Sequence, residues 1–315
     1  MKALILNEVG SLELKEIDIP KIRENEVLVE VKACGICGSD IPRAYKDGAH
    51  KMPLILGHEF SGVVTQVGYK VDEAWIGKRV GVFPLIPCKK CVMCKKRKYE
   101  LCENYSYLGS REDGGFAEYV RVPVWNLICL PEQVTMEQAA MLEPMAVAVH
   151  AIRGINPLPN ANIAVIGLGT IGMLVTMFLR DMGFDNVYTI GNKEFQKTKV
   201  LEMGLPAFQY IHGTSDYEQH LNADIVFECV GSSESLESAI NIASPEATVM
   251  VVGNPATTMT LSKEIYWKIL RKQLTIKGTW NSTFNHSNKD DWNYAIERLT
   301  SGKISPEQLI THRYS

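Results

Sequence analysis

The run Asn162-Ile-Ala-Val-Ile-Gly-Leu-Gly-Thr-Ile-Gly172 narrows the folds open to this chain more than any other segment. An apolar strand passes directly into Gly167-x-Gly169-x-x-Gly172, and apolar residues continue through Ile171–Leu179 at helical length. Strands without polar alternation are covered on both faces, which parallel sheets achieve with crossover helices. The pattern repeats at Val187–Ile190, Ile225–Glu228, Thr248–Val252 and Leu274–Lys277, so residues 149–285 are predicted to form a doubly wound, parallel-sheet α/β domain. Within it Gly167 makes the tight turn, Gly169 admits a pyrophosphate and Gly172 lets helix and strand approach. Thr170 and Ile171 begin the helix whose N–H groups face the phosphates. A dinucleotide is the expected ligand; glycines kept only for close packing are the alternative.

The end of the next strand decides which dinucleotide. A site for NAD places Asp or Glu about 20 residues beyond the glycines, where it binds the ribose 2′-hydroxyl. This chain presents Gly191-Asn192-Lys193 there. With an amide and a cation in place of a carboxylate, a 2′-phosphate meets less repulsion and gains a charge-assisted hydrogen bond. The pattern points to NADP. NAD remains the alternative, with Glu194 or a backbone group on the ribose and Lys193 a solvated lysine.

Residues 1–148 follow a different grammar. Short strands at Ala3–Leu6, Leu12–Glu16, Val27–Ala33, Gly62–Val67, Arg79–Val82 and Ala117–Val122 are broken by glycine and proline, which predicts a mainly β domain. Its loop 88–102 carries Cys88, Cys91, Cys94 and Cys102 in the pattern C-x2-C-x2-C-x7-C. Four soft thiolates at short spacing are what a closed tetrahedral zinc site requires. The loop is polar and basic, so these cysteines do not lie on a core stripe and the lysines offset part of the thiolate charge. An iron–sulfur cluster is the main rival, with disulfides and inert thiols behind it. The segment 286–315 holds one amphipathic helix, Trp292–Leu299, placed to return to the first domain.

At 315 residues and 46% apolar content the chain can build two cores. A net charge of −3 gives no field for a polyanion, so no nucleic-acid partner is expected. No apolar stretch is long enough to span a bilayer, and reduced cysteines with no export signal suggest a cytoplasmic protein.

A second group of metal-ligating residue types lies outside the cysteine loop. Cys34-Gly-Ile-Cys37-Gly-Ser39-Asp40, Gly57-His58-Glu59 and Leu142-Glu143-Pro144 supply thiolate, imidazole and carboxylate, the ingredients of an open zinc site. Their separations are too long for spacing alone to assign ligands. Small core cysteines, a turn-capping histidine and a helix carboxylate would explain them equally well.

With Asp113-Gly-Gly-Phe-Ala-Glu-Tyr119 and Ala223-Asp-Ile-Val-Phe-Glu-Cys-Val-Gly231 added, the ordered motifs cover nearly the whole chain. The chain resembles the zinc-dependent medium-chain dehydrogenase/reductase family, in its polyol dehydrogenase branch. The resemblance implies a GroES-like catalytic domain followed by a Rossmann NAD(P)-binding domain, and two zinc ions per chain. Carried over residue by residue, it implies Cys37, His58 and Glu143 as catalytic zinc ligands. Glu59 becomes a neighbouring carboxylate available to that zinc when no substrate is present. It further implies hydride exchange between a secondary alcohol and the nicotinamide. A homodimer joined through the cofactor domains is implied as well, with a tetramer as the variant and the runs Ala247–Gly253 and Leu274–Lys277 as candidates to extend a sheet across the two-fold axis. The substrate is expected to be a sugar-alcohol phosphate of the galactitol 1-phosphate type, or else an unphosphorylated polyol such as sorbitol. Asp47, His50, Lys51, Arg111, Lys268 and Arg271 are the charged candidates for its recognition.

Two departures stand out. Asp40 is followed by Ile41, Pro42 and Arg43, so a relay histidine found in some relatives is absent and Ser39 becomes the expected proton path. The chain stops at Tyr314-Ser315, short of the usual final strand, so the return segment is expected to be truncated. A catalytically inactive, nucleotide-responsive regulatory protein is the competing class; a quinone or enone reductase would need neither zinc site.

Overall fold

The computed structural model describes residues 1–213 and 221–314. The chain folds into two compact units, Met1–Ala146 with Ser282–Glu307 and Val147–Asn281 with Gln308–Ser315.

The first unit is built on a five-stranded antiparallel sheet in the order Leu127–Cys129, Arg79–Val82, Glu59–Val67, Glu26–Gly35, Tyr119–Pro123. Val29 pairs with Val64 on one side and Val120 on the other, which places β-branched residues opposite one another at the sheet centre. Phe60, Val80, Val82, Leu108 and Leu127 complete this core. A three-stranded sheet, Ser11–Glu16, Lys2–Glu8, Leu54–Ile55, packs Leu6, Leu54 and Leu56 into a smaller core with Ala44. The register slips between Val31 and Ala33. Such a bulge re-aims the strand end, and here it lies just before Cys34, in the strand that leads into the turn carrying Cys37 to Asp40.

The returning helix Asp291–Thr300 belongs to the first unit. Asp290 caps it by accepting the Asn293 N–H at 2.9 Å. Trp292, Ala295, Ile296 and Leu299 are buried at the spacing of one helical face. Trp292 packs edge-on against Phe83, with ring centroids 5.6 Å apart, and its indole N–H donates to Ser282 Oγ at 3.0 Å.

The second unit is a six-stranded parallel sheet in the order Tyr210–His212, Val187–Gly191, Ile163–Ile166, Ala223–Glu228, Ala243–Val251, Thr275–Gly278. Ile163–Ile166 is buried at every position, as expected for a central strand covered on both faces. The helix Thr170–Asp181 is buried continuously from Gly172 to Leu179, which accounts for its lack of a polar stripe. The expected doubly wound domain is therefore present, with the strand order of a dinucleotide fold. One placement differs. The run Ala247–Gly253 offers no free edge, because Ala243–Val251 is bonded on both sides and Thr275–Gly278 is the outer strand.

Candidate active site and metal centres

The sulfurs of Cys88, Cys91, Cys94 and Cys102 all lie within 4.8 Å of one another. Cys91 opens the short helix Val92–Lys95, and its sulfur accepts the Cys94 N–H at 3.5 Å. The Cys88 N–H donates to Cys102 Sγ at 3.2 Å, drawing the far end of the loop back. Cys88 and Cys94 sulfurs are 3.9 Å apart, and those of Cys91 and Cys102 are 4.0 Å apart. These are far beyond a disulfide bond of about 2.05 Å and close to the edge of a tetrahedron with Zn–S near ~2.3 Å. In an iron–sulfur cluster of two or four irons the four thiolates are divided among several metal atoms, which would spread the sulfurs further.

The donor set thus fits a closed structural zinc. Backbone N–H groups of Cys94 and Glu103 hold Cys91 down to about 6, and those of Lys90 and Cys91 lower Cys88. Burial instead pushes Cys94 up to about 12 and raises Cys102. Cys91 and Cys88 therefore give up their protons more readily than ordinary thiols, which favours a metal. Two exposed basic side chains of the loop contact the rest of their unit: Lys89 lies 4.8 Å above the Trp125 ring centroid, and Arg97 donates to the Asn285 carbonyl.

The second group forms where the bulged strand ends. Cys34 packs against the β core and points its thiol at the Gly35 carbonyl, 3.6 Å away, so it takes the role of a small core residue. Cys37, in the following turn, comes together with His58 and Glu59, their donor atoms within 4.8 Å of one another. Glu143 stands in the first turn of the helix Leu142–Arg153, outside that triplet, and accepts the Tyr107 hydroxyl at 3.1 Å. Its charge acts on His58, Cys37 and Glu59.

Asp40, only 3% exposed, organises this cluster. Its carboxylate accepts the Cys37 N–H at 3.1 Å and Arg43 Nη1 at 3.0 Å, and its Oδ1 is 3.5 Å from His58 Nδ1. Burial opposes a charge on His58, but Asp40 and Cys37 outweigh it and hold the imidazole pKa well above its ordinary value. Burial, with the Glu143 charge adding, pushes Glu59 up to about 7. Burial likewise raises Glu143 and Cys37. Acids that resist ionisation around an imidazole that favours a proton describe a buried pocket short of positive charge. His58 Nδ1 is buried and turned to the Asp40 carboxylate, which leaves the ring's other nitrogen to ligate a cation. Both observations fit a cation held by thiolate, imidazole and carboxylate.

Sequence reasoning missed Tyr107 and the orienting role of Asp40. Neither falls in a metal-ligand spacing, and only the folded chain brings them to His58. Carboxylates behind metal-binding histidines typically contribute about 10–100-fold to metal affinity or activity. Asp40→Asn, which keeps the shape and removes the charge, is expected to lower zinc affinity at this cluster by about that factor and to spare the cysteine loop. Chelator competition with kcat/KM checks this; unchanged values in both would contradict the role.

Ser39 Oγ donates to Cys37 Sγ at 3.3 Å and is half-buried, between the cluster and solvent. Of the charged candidates for substrate, Lys51 pairs with Glu112 at 3.6 Å. Arg111 donates to the Tyr105 carbonyl at 3.2 Å and stacks on that ring. Lys268 donates to Asn241, while Asp47, His50 and Arg271 are exposed.

In the second unit the glycine turn lies at the carboxyl end of the central strand, beside the point where strand order reverses. Gly167 has φ +89°, a region costly for other residues. A Cβ on Gly172 would sit 1.9 Å from the Gly167 carbonyl oxygen. Gly169 caps the helix Thr170–Asp181 without a side-chain hydrogen bond, and a Cβ there would meet nothing within 4 Å. The backbone N–H groups at Thr170 and Ile171 begin this helix, so the turn fits a pyrophosphate. Gly191 ends its strand, and Asn192 and Lys193 are exposed beyond it.

Residues 23–132 match the family described as Alcohol dehydrogenase GroES-like domain, and residues 170–301 match Zinc-binding dehydrogenase. The chain is 36% identical to galactitol 1-phosphate 5-dehydrogenase of Escherichia coli K12, over 100% of this chain and 93% of that protein. The crystal structure of galactitol-1-phosphate dehydrogenase from Escherichia coli superposes with a TM-score of 0.91 at 34% identity, covering 99% of this chain and 92% of that one. A chain called a short chain alcohol dehydrogenase, from Escherichia coli CFT073 and solved with NADH, gives 0.87 at 30% identity over 99% and 91%. A zinc-binding dehydrogenase from Sinorhizobium meliloti 1021, solved with NADP, gives 0.86 at 26% identity over 96% and 89%. Similarity of this extent sets the inactive regulatory class aside. The chain is an oxidoreductase and belongs to the zinc-dependent, NAD(P)-linked medium-chain dehydrogenase/reductase family.

Proposed function

We propose that the protein reversibly oxidises a secondary alcohol of a sugar-alcohol phosphate of the galactitol 1-phosphate type, with NADP as hydride acceptor. The observation that carries this reading is the meeting of Cys37, His58 and Glu59 within 4.8 Å, with Glu143 held beside them by Tyr107. Cys37, His58 and Glu143 would hold the catalytic zinc, and Glu59 would serve as the exchangeable carboxylate. Bound there, zinc supplies a Lewis acid that lowers the pKa of an alcohol oxygen, and the nicotinamide accepts the hydride.

The protein's own residues supply position and proton transfer. Asp40 fixes the Cys37 backbone and faces the His58 ring, and Tyr107 fixes the Glu143 carboxyl. Ser39, in hydrogen-bond reach of Cys37 and partly open to solvent, would pass the alcohol proton outward. Gly167, Gly169 and Gly172 would seat the pyrophosphate, and Gly191-Asn192-Lys193 the ribose phosphate.

An unphosphorylated polyol is the second reading, because Lys51 and Arg111 already have protein partners. A matched panel of galactitol, sorbitol and their phosphates, with NAD and with NADP, separates the two readings. The phosphates are expected to show the higher kcat/KM through lower KM. Faster turnover of free sorbitol than of every phosphate would overturn the substrate assignment.

We also infer a cytoplasmic homodimer. Among the described residues no helix is long and apolar enough to cross a membrane. Thr275–Gly278 is an outer strand exposed at every position, and Ile276, Trp267 and Leu270 are exposed large apolar residues of the same unit. A second copy pairing edge to edge about a two-fold axis would cover the strand. Light scattering that finds a monomer at micromolar concentration would refute the dimer.

A further inference from the structure

Gly191 is enclosed by its own unit. A Cβ built there would lie 2.7 Å from Gln196 Oε1, 2.9 Å from Leu168 Cδ1 and 3.4 Å from Tyr210 Cε2. Gln196 is 7% exposed and hydrogen-bonded at both ends of its amide. Its Nε2 donates to the Leu168 carbonyl at 2.9 Å, inside the glycine turn, and its Oε1 accepts the N–H groups of Asn192 and Lys193 at 3.1 and 3.2 Å. One amide therefore ties the turn that meets the pyrophosphate to the turn that meets the ribose. Tyr210 closes the same loop from the far side, its hydroxyl donating to the Lys193 carbonyl at 3.4 Å. Lys193 keeps its ammonium outward, 5.9 Å from the Phe195 ring centroid.

We propose that Gln196 is the positioning residue for cofactor selectivity: it occupies the space that an acidic side chain at position 191 would need and holds Lys193 where a 2′-phosphate arrives. The chemistry recognised is an adenosine bearing a 2′-phosphomonoester. A carboxylate at position 191 is disfavoured twice, by the missing side chain of Gly191 and by the Gln196 amide filling its place. The proposal rests on Gly167–Gly172 being the cofactor turn, and it goes further by naming what sets the preference.

Calorimetric titration of the zinc-loaded full chain with 2′,5′-ADP and with ADP tests it without turnover. The 2′-phosphate is expected to tighten binding by about tenfold, the scale of one charge-assisted contact. Lys193→Ala and Gln196→Ala should each bring the ratio of the two affinities close to one. Gly191→Asp should weaken both fragments without creating a preference for ADP. Equal binding by the unaltered protein, an unchanged ratio in either alanine variant, or an ADP preference in Gly191→Asp would overturn the proposal. Failure of both fragments to bind would instead overturn the cofactor turn itself. Lys193 is exposed, so its variant remains informative if Gln196→Ala does not fold.

Discussion

Cys37→Ser is expected to lower kcat/KM on the order of 10³-fold, because losing a metal that stabilises developing charge removes several kcal/mol from the transition state. Serine keeps the size of the side chain but replaces a soft thiolate with a hydroxyl that does not ionise near neutral pH. The remaining buried groups, His58, Glu59 and Glu143, are too rich in carboxylate and too poor in sulfur to hold zinc with the same affinity. The cysteine loop, built from other residues, should keep its zinc. A variant with full activity would remove Cys37 from the ligand set, and one that lost both metals would show that the two centres do not fold independently.

The second large effect concerns stability. Trp292→Ala should cost about 3–5 kcal/mol, the range for truncating a large buried aromatic, because Trp292 is 1% exposed. Its ring contacts with Phe83 and Phe284 would be lost, and Ser282 Oγ would lose its indole donor inside the core. The same aromatic group includes Trp125, which lies under Lys89 of the cysteine loop. Destabilisation should therefore appear in the unfolding transition of the first unit. A shift of under about 1 kcal/mol, measured by denaturant titration, would mean that the site collapses to fill the cavity.

What could be read from the sequence was what local pattern encodes. Ile163–Ile166 followed by Gly167, Gly169 and Gly172 announces a strand, turn and buried helix within one short window, and the fold matches it. The cysteine loop is equally local. Leu54–Ile55, Leu85–Ile86, Ser106–Tyr107 and Tyr210–His212 were not legible, because strands of two or three residues carry no periodicity and exist only by pairing. The choice between Cys34 and Cys37 was closed to spacing for a related reason. A register slip in the preceding strand determines which sulfur turns into the core, and no side-chain pattern marks it. Tyr107 and Gln196 act through contacts made across 36 and 28 residues, on Glu143 and Leu168, and neither residue type is distinctive.

In the proposed reaction hydride passes from a carbinol carbon of a sugar-alcohol phosphate to the nicotinamide of a bound cofactor. Galactitol 1-phosphate deuterated at its secondary carbinol carbons, incubated with the zinc-loaded protein and NADP, tests it directly when the reduced cofactor is recovered and weighed by mass spectrometry. Direct transfer should give reduced cofactor carrying one deuterium per ketone formed. Deuterium lost to water, or a ketone formed with no deuterium in the nicotinamide, would contradict it.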